Sequence, residues 1–282
     1  MAQIREIKKR IKSIGSTQKV THAMELVAAA KMRKAQIHAL SSRPYSLNLH
    51  HLLYKAQAQG IFDHPLISDN EAEKELLILV TSDRGLAGGL NLNVFRELTK
   101  NEVKHASYIT VGKKALQFVS KMRYETIASF GSEEVPFLEL ARTLSKMAID
   151  SFTGKEYSSV SMLYPHFEST VVQIPQFIQI LPIKPVPQEE AAELVNSSEV
   201  LFEPSVEALL NTLLPHHVLQ TIYQVLLEAK ASEHSARMVA MKNATDAAGD
   251  LIDDLTLTYN QARQEAITKE LLDIVTAQRA FQ

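Results

Sequence analysis

Residues 238–266 read MVAMKNATDAAGDLIDDLTLTYNQARQEA, and within them Met238, Met241, Thr245, Ala248, Ile252, Leu255, Tyr259, Ala262 and Ala266 recur at alternating spacings of three and four. That is the heptad seam of a helix packed along one partner helix. Near the end the stripe moves to Ile267, Leu271 and Ile274. After Pro215 the chain runs 67 residues with no further proline and one glycine, Gly249. Such a helix would span roughly 100 Å, far beyond the three or four turns usual in globular proteins. Pro215 predicts a kink or a helix start.

The partner lies at the other end of the chain. From Ala2 to about Gln57 helix formers dominate, with Gly15 and Pro44 the only breakers, a helix of roughly 80 Å. Its stripe is Ile4, Ile7, Ile11, Ile14, Gln18 and Thr21, after which the apolar residues change phase to Met24, Val27, Ala30 and Ile37. One helix enters the middle of the chain and the other leaves it, so their pairing must be antiparallel. Ala248, Ala262, Ala266, Thr245 and Gln18 make the seam small and polar, which gives close packing in one register at some cost in stability.

Between the two, the period changes. Apolar runs at Leu76–Val80, Tyr108–Val111, Thr126–Phe130, Val160–Leu163 and Val171–Ile180 read as strands, with helical stretches around 93–103, 113–122 and 137–152. Strand alternating with helix predicts a Rossmann-like α/β domain on a largely parallel sheet, closed by an antiparallel last strand. The expected fold class is therefore a long antiparallel two-helix coiled coil with an inserted α/β domain. The predicted division is 1–57 for the first helix, 75–187 for the α/β domain, and 188–282 for an acidic linker and the last helix.

Several function classes fall away. With no cysteine there is no disulfide framework, thiolate-zinc site or thiol nucleophile. No run approaches the roughly 20 apolar residues of a membrane-spanning helix, and no signal peptide is expected. Charge is uneven: residues 1–43 carry ten basic and two acidic residues, and a net charge of −2 then leaves −10 on the remainder. A basic helix can bind nucleic acid, an anionic membrane surface or an acidic protein, or it can be only a solvated face. The loop Thr81–Asn91 follows a strand and holds Gly85, Gly88 and Gly89, but matches neither GxxxxGK[ST] nor GxGxxG. It reads as a phosphate cradle or as a turn presenting Arg84 to a protein. Adjacent histidines at 50–51 and 216–217 cannot face one direction on a helix, and His22 and His234 read as surface residues. No metal, cofactor or catalytic group is implied. By pattern alone Arg263, Gln264 and Thr268 are a solvated helix face.

Three blocks resemble the γ subunits of bacterial and organellar F-type ATP synthases: Thr17–Ala28 with Lys31–Arg33, Thr81–Asn91, and Ala231–Lys242 continuing through Ala244–Asp246, Tyr259–Asn260, Ala262–Gln264 and Ile267–Thr268. Ser16 and His22 stand where Asn and Lys are usual. The resemblance implies a non-catalytic shaft, one copy per complex, turning inside an α3β3 ring. It would also contact an ε subunit and a membrane-embedded c ring, coupling ion flow to ATP synthesis or hydrolysis at β. It implies that Arg263, Gln264 and Thr268 touch a β loop, that Met24 faces β lower down, and that Arg84 meets an acidic β segment. Leu201–Pro204 resembles the foot segment on the c ring, which assigns Glu203 there. Peripheral attachment at the cytoplasmic face of a bacterial inner membrane is expected, without insertion and without nucleic acid. A nucleotide-binding α/β enzyme and a basic coiled-coil nucleic-acid module are the alternatives.

Overall fold

The computed structural model describes residues 2–57, 64–101, 106–132, 136–184 and 205–280. In chain order the elements are α1 (Ala2–Gln57), β1 (Glu75–Val80), α2 (Leu90–Lys100), β2 (Ala106–Val111), α3 (Lys113–Met122), β3 (Thr126–Phe130), α4 (Phe137–Thr153), β4 (Ser159–Phe167), β5 (Gln173–Leu181) and α5 (Val206–Ala280). They divide into two compact units, Met1–Ala28 with Arg237–Gln282, and Ala29–Ala236.

The first unit is the expected antiparallel pair. Gln18 Nε2 donates to the Thr245 carbonyl at 3.4 Å, and Thr245 Oγ1 donates to Thr21 Oγ1 at 2.8 Å. Gly249 faces Gln18 and Gly15 faces Ile252. Numbers rise on α1 as they fall on α5, which fixes the direction. Every seam position read on α5 from Met238 to Ala266 is buried or half-buried.

On α1 the predicted phase change does not occur. Burial continues at Ile14, Gln18, Thr21, Glu25 and Ala28, while Met24 and Val27 are 42% and 56% exposed. A stutter in one helix needs a matching one in its partner, and α5 runs through Met238, Met241 and Thr245 without a break. Ala30 and Ile37, in the second unit, are also exposed, whereas Met32 is half-buried and Ala35 buried. The seam therefore takes Glu25 in preference to Met24.

The second unit is a five-stranded sheet in the order β3-β2-β1-β4-β5. The first four strands run parallel, and β5 returns antiparallel to β4. Strand β1 is buried on both faces, as a central parallel strand must be. Leu77 and Leu79 pack with Val94, Leu98, Ala115 and Val119 of α2 and α3. The alternate residues Leu76, Ile78 and Val80 join the larger core of α4 and α5 on the other face.

Helix α5 starts at Val206, nine residues before Pro215, so Pro215 lies inside it and is not its start. Burial explains the tolerance. Leu210, Leu214, Val218, Ile222, Val225 and Leu226 are all core residues. At about 1.5–3 kcal/mol each, they outweigh the roughly 3 kcal/mol an internal proline costs. The acidic linker predicted through Glu199, and Glu203 in the foot segment, lie outside the described residues.

Candidate partner-contact site

In a parallel sheet, loops that leave the carboxyl ends of the strands carry function, above all where strand order reverses. Here the order reverses between β1 and β4, and Thr81–Gly89 leaves β1 at that point. Within the loop, Ser82 Oγ donates to the Arg84 carbonyl at 2.6 Å. Asn91 Oδ1 accepts the Ser82 N–H at 3.2 Å, while Asn91 Nδ2 donates to Ser82 Oγ at 2.8 Å. Leu86 takes a left-handed φ of 62°, which turns it outward, and Arg84 is exposed.

Asp83 points inward. Its Oδ1 accepts the Lys113 backbone N–H at 3.0 Å, capping α3, and its Oδ2 accepts the Ser132 hydroxyl at 2.8 Å. Burial pushes this carboxyl up. Hydrogen bonds from the Ser132 side chain, the Lys113 and Ser132 backbones, and the charge of Lys230 more than offset that, and its pKa is lowered.

The crevice that would take a nucleotide is filled by α5. Ser235 Oγ donates to the Thr170 carbonyl in the β4–β5 turn at 2.6 Å, and Ala236 packs on Ala87 and Leu90. A cavity of about 10 Å³ is left between Ser82, Ser132, Leu226, Ala229, Lys230 and Glu233, room for roughly one water. Lys230 and Glu233 are 9% and 4% exposed and pair at 2.9 Å. The α3 N-terminus, which could have held a phosphate, already holds the Asp83 carboxylate. The glycine loop is therefore a braced turn.

His234 corrects the surface reading made above, being 5% exposed. Its neighbours Ala231, Ser232, Ser235 and Ala236 are small and buried, so this stretch of helix sits close against its surroundings. His22 is exposed, 3.3 Å from Glu25.

The ATP synthase family model matches residues 3–281. The ATP synthase gamma chain of Pelotomaculum thermopropionicum is 43% identical over 288 residues, covering all of both chains. The chain belongs to the ATP synthase gamma-chain family. That of Akkermansia muciniphila is 40% identical over 291 residues, again covering all of both. The fold matches a solved chain of the Euglena gracilis mitochondrial ATP synthase assembly of OSCP, F1 and c-ring, with a TM-score of 0.70 at 19% identity, covering 99% of this chain and 95% of that one. As a family member, the chain is a subunit of an enzyme complex. Among the described residues no helix is long and apolar enough to cross a membrane.

The resemblance-assigned residues of the first unit all lie on its outside. Met24 forms an exposed stripe with Val20 and Val27 at helical spacing. Arg263, Gln264 and Thr268 are exposed beside the half-buried Ala262 and Ala266, and Thr268 Oγ1 donates to the Gln264 carbonyl at 2.9 Å. Beyond Ala266 no residue through Arg279 is buried. Arg84 belongs to the second unit. Sequence reading missed Asp83, Ser132, Lys230 and Glu233 as one group, because three separate segments bring them together. The one available signal was Lys230 and Glu233 at i,i+3 within AKASEHSA, charges set among residues small enough to be buried.

Proposed function

We propose that this chain is the central rotor shaft of an F-type ATP synthase, turned by an ion-driven c ring. In this reading it couples that rotation to ATP synthesis or hydrolysis at β and has no catalytic site of its own. The observation that carries the reading is the antiparallel pair built from both ends of the chain, with a thin seam of small and polar residues. Past Ala266 its longer helix keeps Ile267, Leu271, Leu272, Ile274 and Val275 exposed. An apolar surface of that kind calls for a surrounding protein sleeve, and α3β3 is the partner that supplies one. Basic residues on α1 suit an acidic sleeve, since attraction between exposed charges is screened and shallow enough to permit sliding.

On this reading Met24, Arg84, Arg263, Gln264 and Thr268 contact β, Glu203 belongs to the foot on the c ring, and an ε subunit binds alongside. The complex would hold the chain at the cytoplasmic face of a bacterial inner membrane. A nucleotide-binding enzyme is disfavoured by α5 filling the crevice, and a nucleic-acid module by full-length likeness to gamma chains.

The purified chain is expected to hydrolyse no ATP, yet to restore coupled turnover to α3β3 complexes lacking a shaft. Unchanged coupling after reconstitution would defeat the proposal. Met24→Lys should lower coupled pumping about fivefold while assembly stays within about twofold, because a long cation on the exposed stripe would grip an acidic neighbour. Equal losses of assembly and coupling would remove Met24 from the contact surface.

A further inference from the structure

Arg84 sits in a loop that ought to be pliable. Gly85 follows it directly, and Gly88 and Gly89 come soon after, so the backbone has wide conformational freedom unless it is held. It is held on both sides of Arg84. Ser82 bonds the Arg84 carbonyl from within the loop, and Asp83 reaches out with both carboxylate oxygens, one to the first N–H of α3 and one to Ser132 in the β3–α4 turn. Ser132 is itself 6% exposed. Beneath them the Lys230–Glu233 pair of α5 shares a cavity wall with Ser82 and Ser132.

We propose that Asp83 is a positioning residue for Arg84. It clamps the β1–α2 loop to the start of α3 and to the β3–α4 turn, above the buried ion pair of α5. Force on Arg84 then passes into the sheet edge and that helix instead of bending the loop. This rests on the reading of Arg84 as a partner contact. A clamp has a geometric consequence that a simple cap lacks. Its effect on coupling runs through Arg84 and disappears when Arg84 is gone.

The test is a double-mutant cycle in the assembled complex, with α3β3, shaft and c ring in proteoliposomes. The readout is protons pumped per ATP hydrolysed, with melting temperature and subunit recovery followed in parallel. Arg84→Ala and Asp83→Ala should each lower the ratio about threefold. The double variant should fall no further than Arg84→Ala alone. Asp83→Asn keeps an acceptor for the α3 N–H but loses the charge, and should lie between wild type and Asp83→Ala. Ser132→Ala removes the hydroxyl bond of the second arm but leaves its backbone bond, so it should repeat the same non-additive pattern with a smaller loss, which covers the case where Asp83→Ala assembles poorly. Losses that multiply in the double variant would make Asp83 a purely structural residue and overturn the inference. So would a normal ratio for Asp83→Ala beside an impaired Arg84→Ala. A normal ratio for Arg84→Ala would instead overturn the contact reading of Arg84 itself.

Discussion

Gly112→Ala is expected to remove at least about 4 kcal/mol of stability from the α/β unit. Gly112 joins β2 to α3 in one residue, at φ 97° and ψ 140°, a conformation only glycine adopts without strain. Its N–H donates to the Phe130 carbonyl at 2.8 Å, so the peptide cannot swing away from β3. An added Cβ would lie 2.2 Å from the Thr81 carbonyl oxygen, where no real Cβ contact exists. Thr81 cannot yield cheaply either, because its N–H bonds the Val111 carbonyl at 2.8 Å and its Oγ1 accepts the Ala115 N–H at 2.7 Å. Strain and collision therefore add at one position. Urea unfolding of the variant measures the loss. A change below about 1 kcal/mol would mean that the β2–α3 junction can shift.

Lys230→Met is expected to cost about 3–5 kcal/mol at neutral pH, the usual result of removing one partner from a buried ion pair. Methionine replaces most of the volume, so the loss isolates the charge. Glu233, 4% exposed, loses the ammonium 2.9 Å away, and Asp83 loses a nearby positive charge. The sign of the pH dependence follows from Asp83. Its folded pKa lies below 3.8, so its contribution is present above that value and is lost as pH falls through the folded pKa. In Lys230→Met the Lys230 share of that depression is absent. The gap between variant and wild type should then narrow below about pH 4. Denaturant unfolding at pH 7 and pH 3.5 decides the matter. An equal gap at both values would mean that Asp83 does not sense the Lys230 charge.

Both positions also show how far the sequence could be read. The α5 seam from Met238 to Ala266 was legible residue by residue, because a helix with one partner must repeat its contacts every three and four residues. The β1 run was legible because a central parallel strand is apolar on both faces. The α1 phase was misread at Met24, Val27, Ala30 and Ile37. Apolar residues there lie on an outer surface, and a sequence pattern cannot tell an apolar side chain facing its own partner helix from an exposed one. His234 was misread for the converse reason, since a polar residue among small neighbours can be carried inward by close helix packing.

The amino-acid sequence by itself determined that two long helices from opposite ends must pair antiparallel around an α/β insert, because periodicity and proline spacing are local properties of the chain. Tertiary structure alone decided which glycine is irreplaceable, that α5 fills the crevice at the strand-order reversal, and that Asp83, Ser132, Lys230 and Glu233 form one group. Those facts depend on distances between segments some 30 to 150 residues apart. Such distances are set by how layers of helix and sheet stack, and no spacing along the chain encodes them.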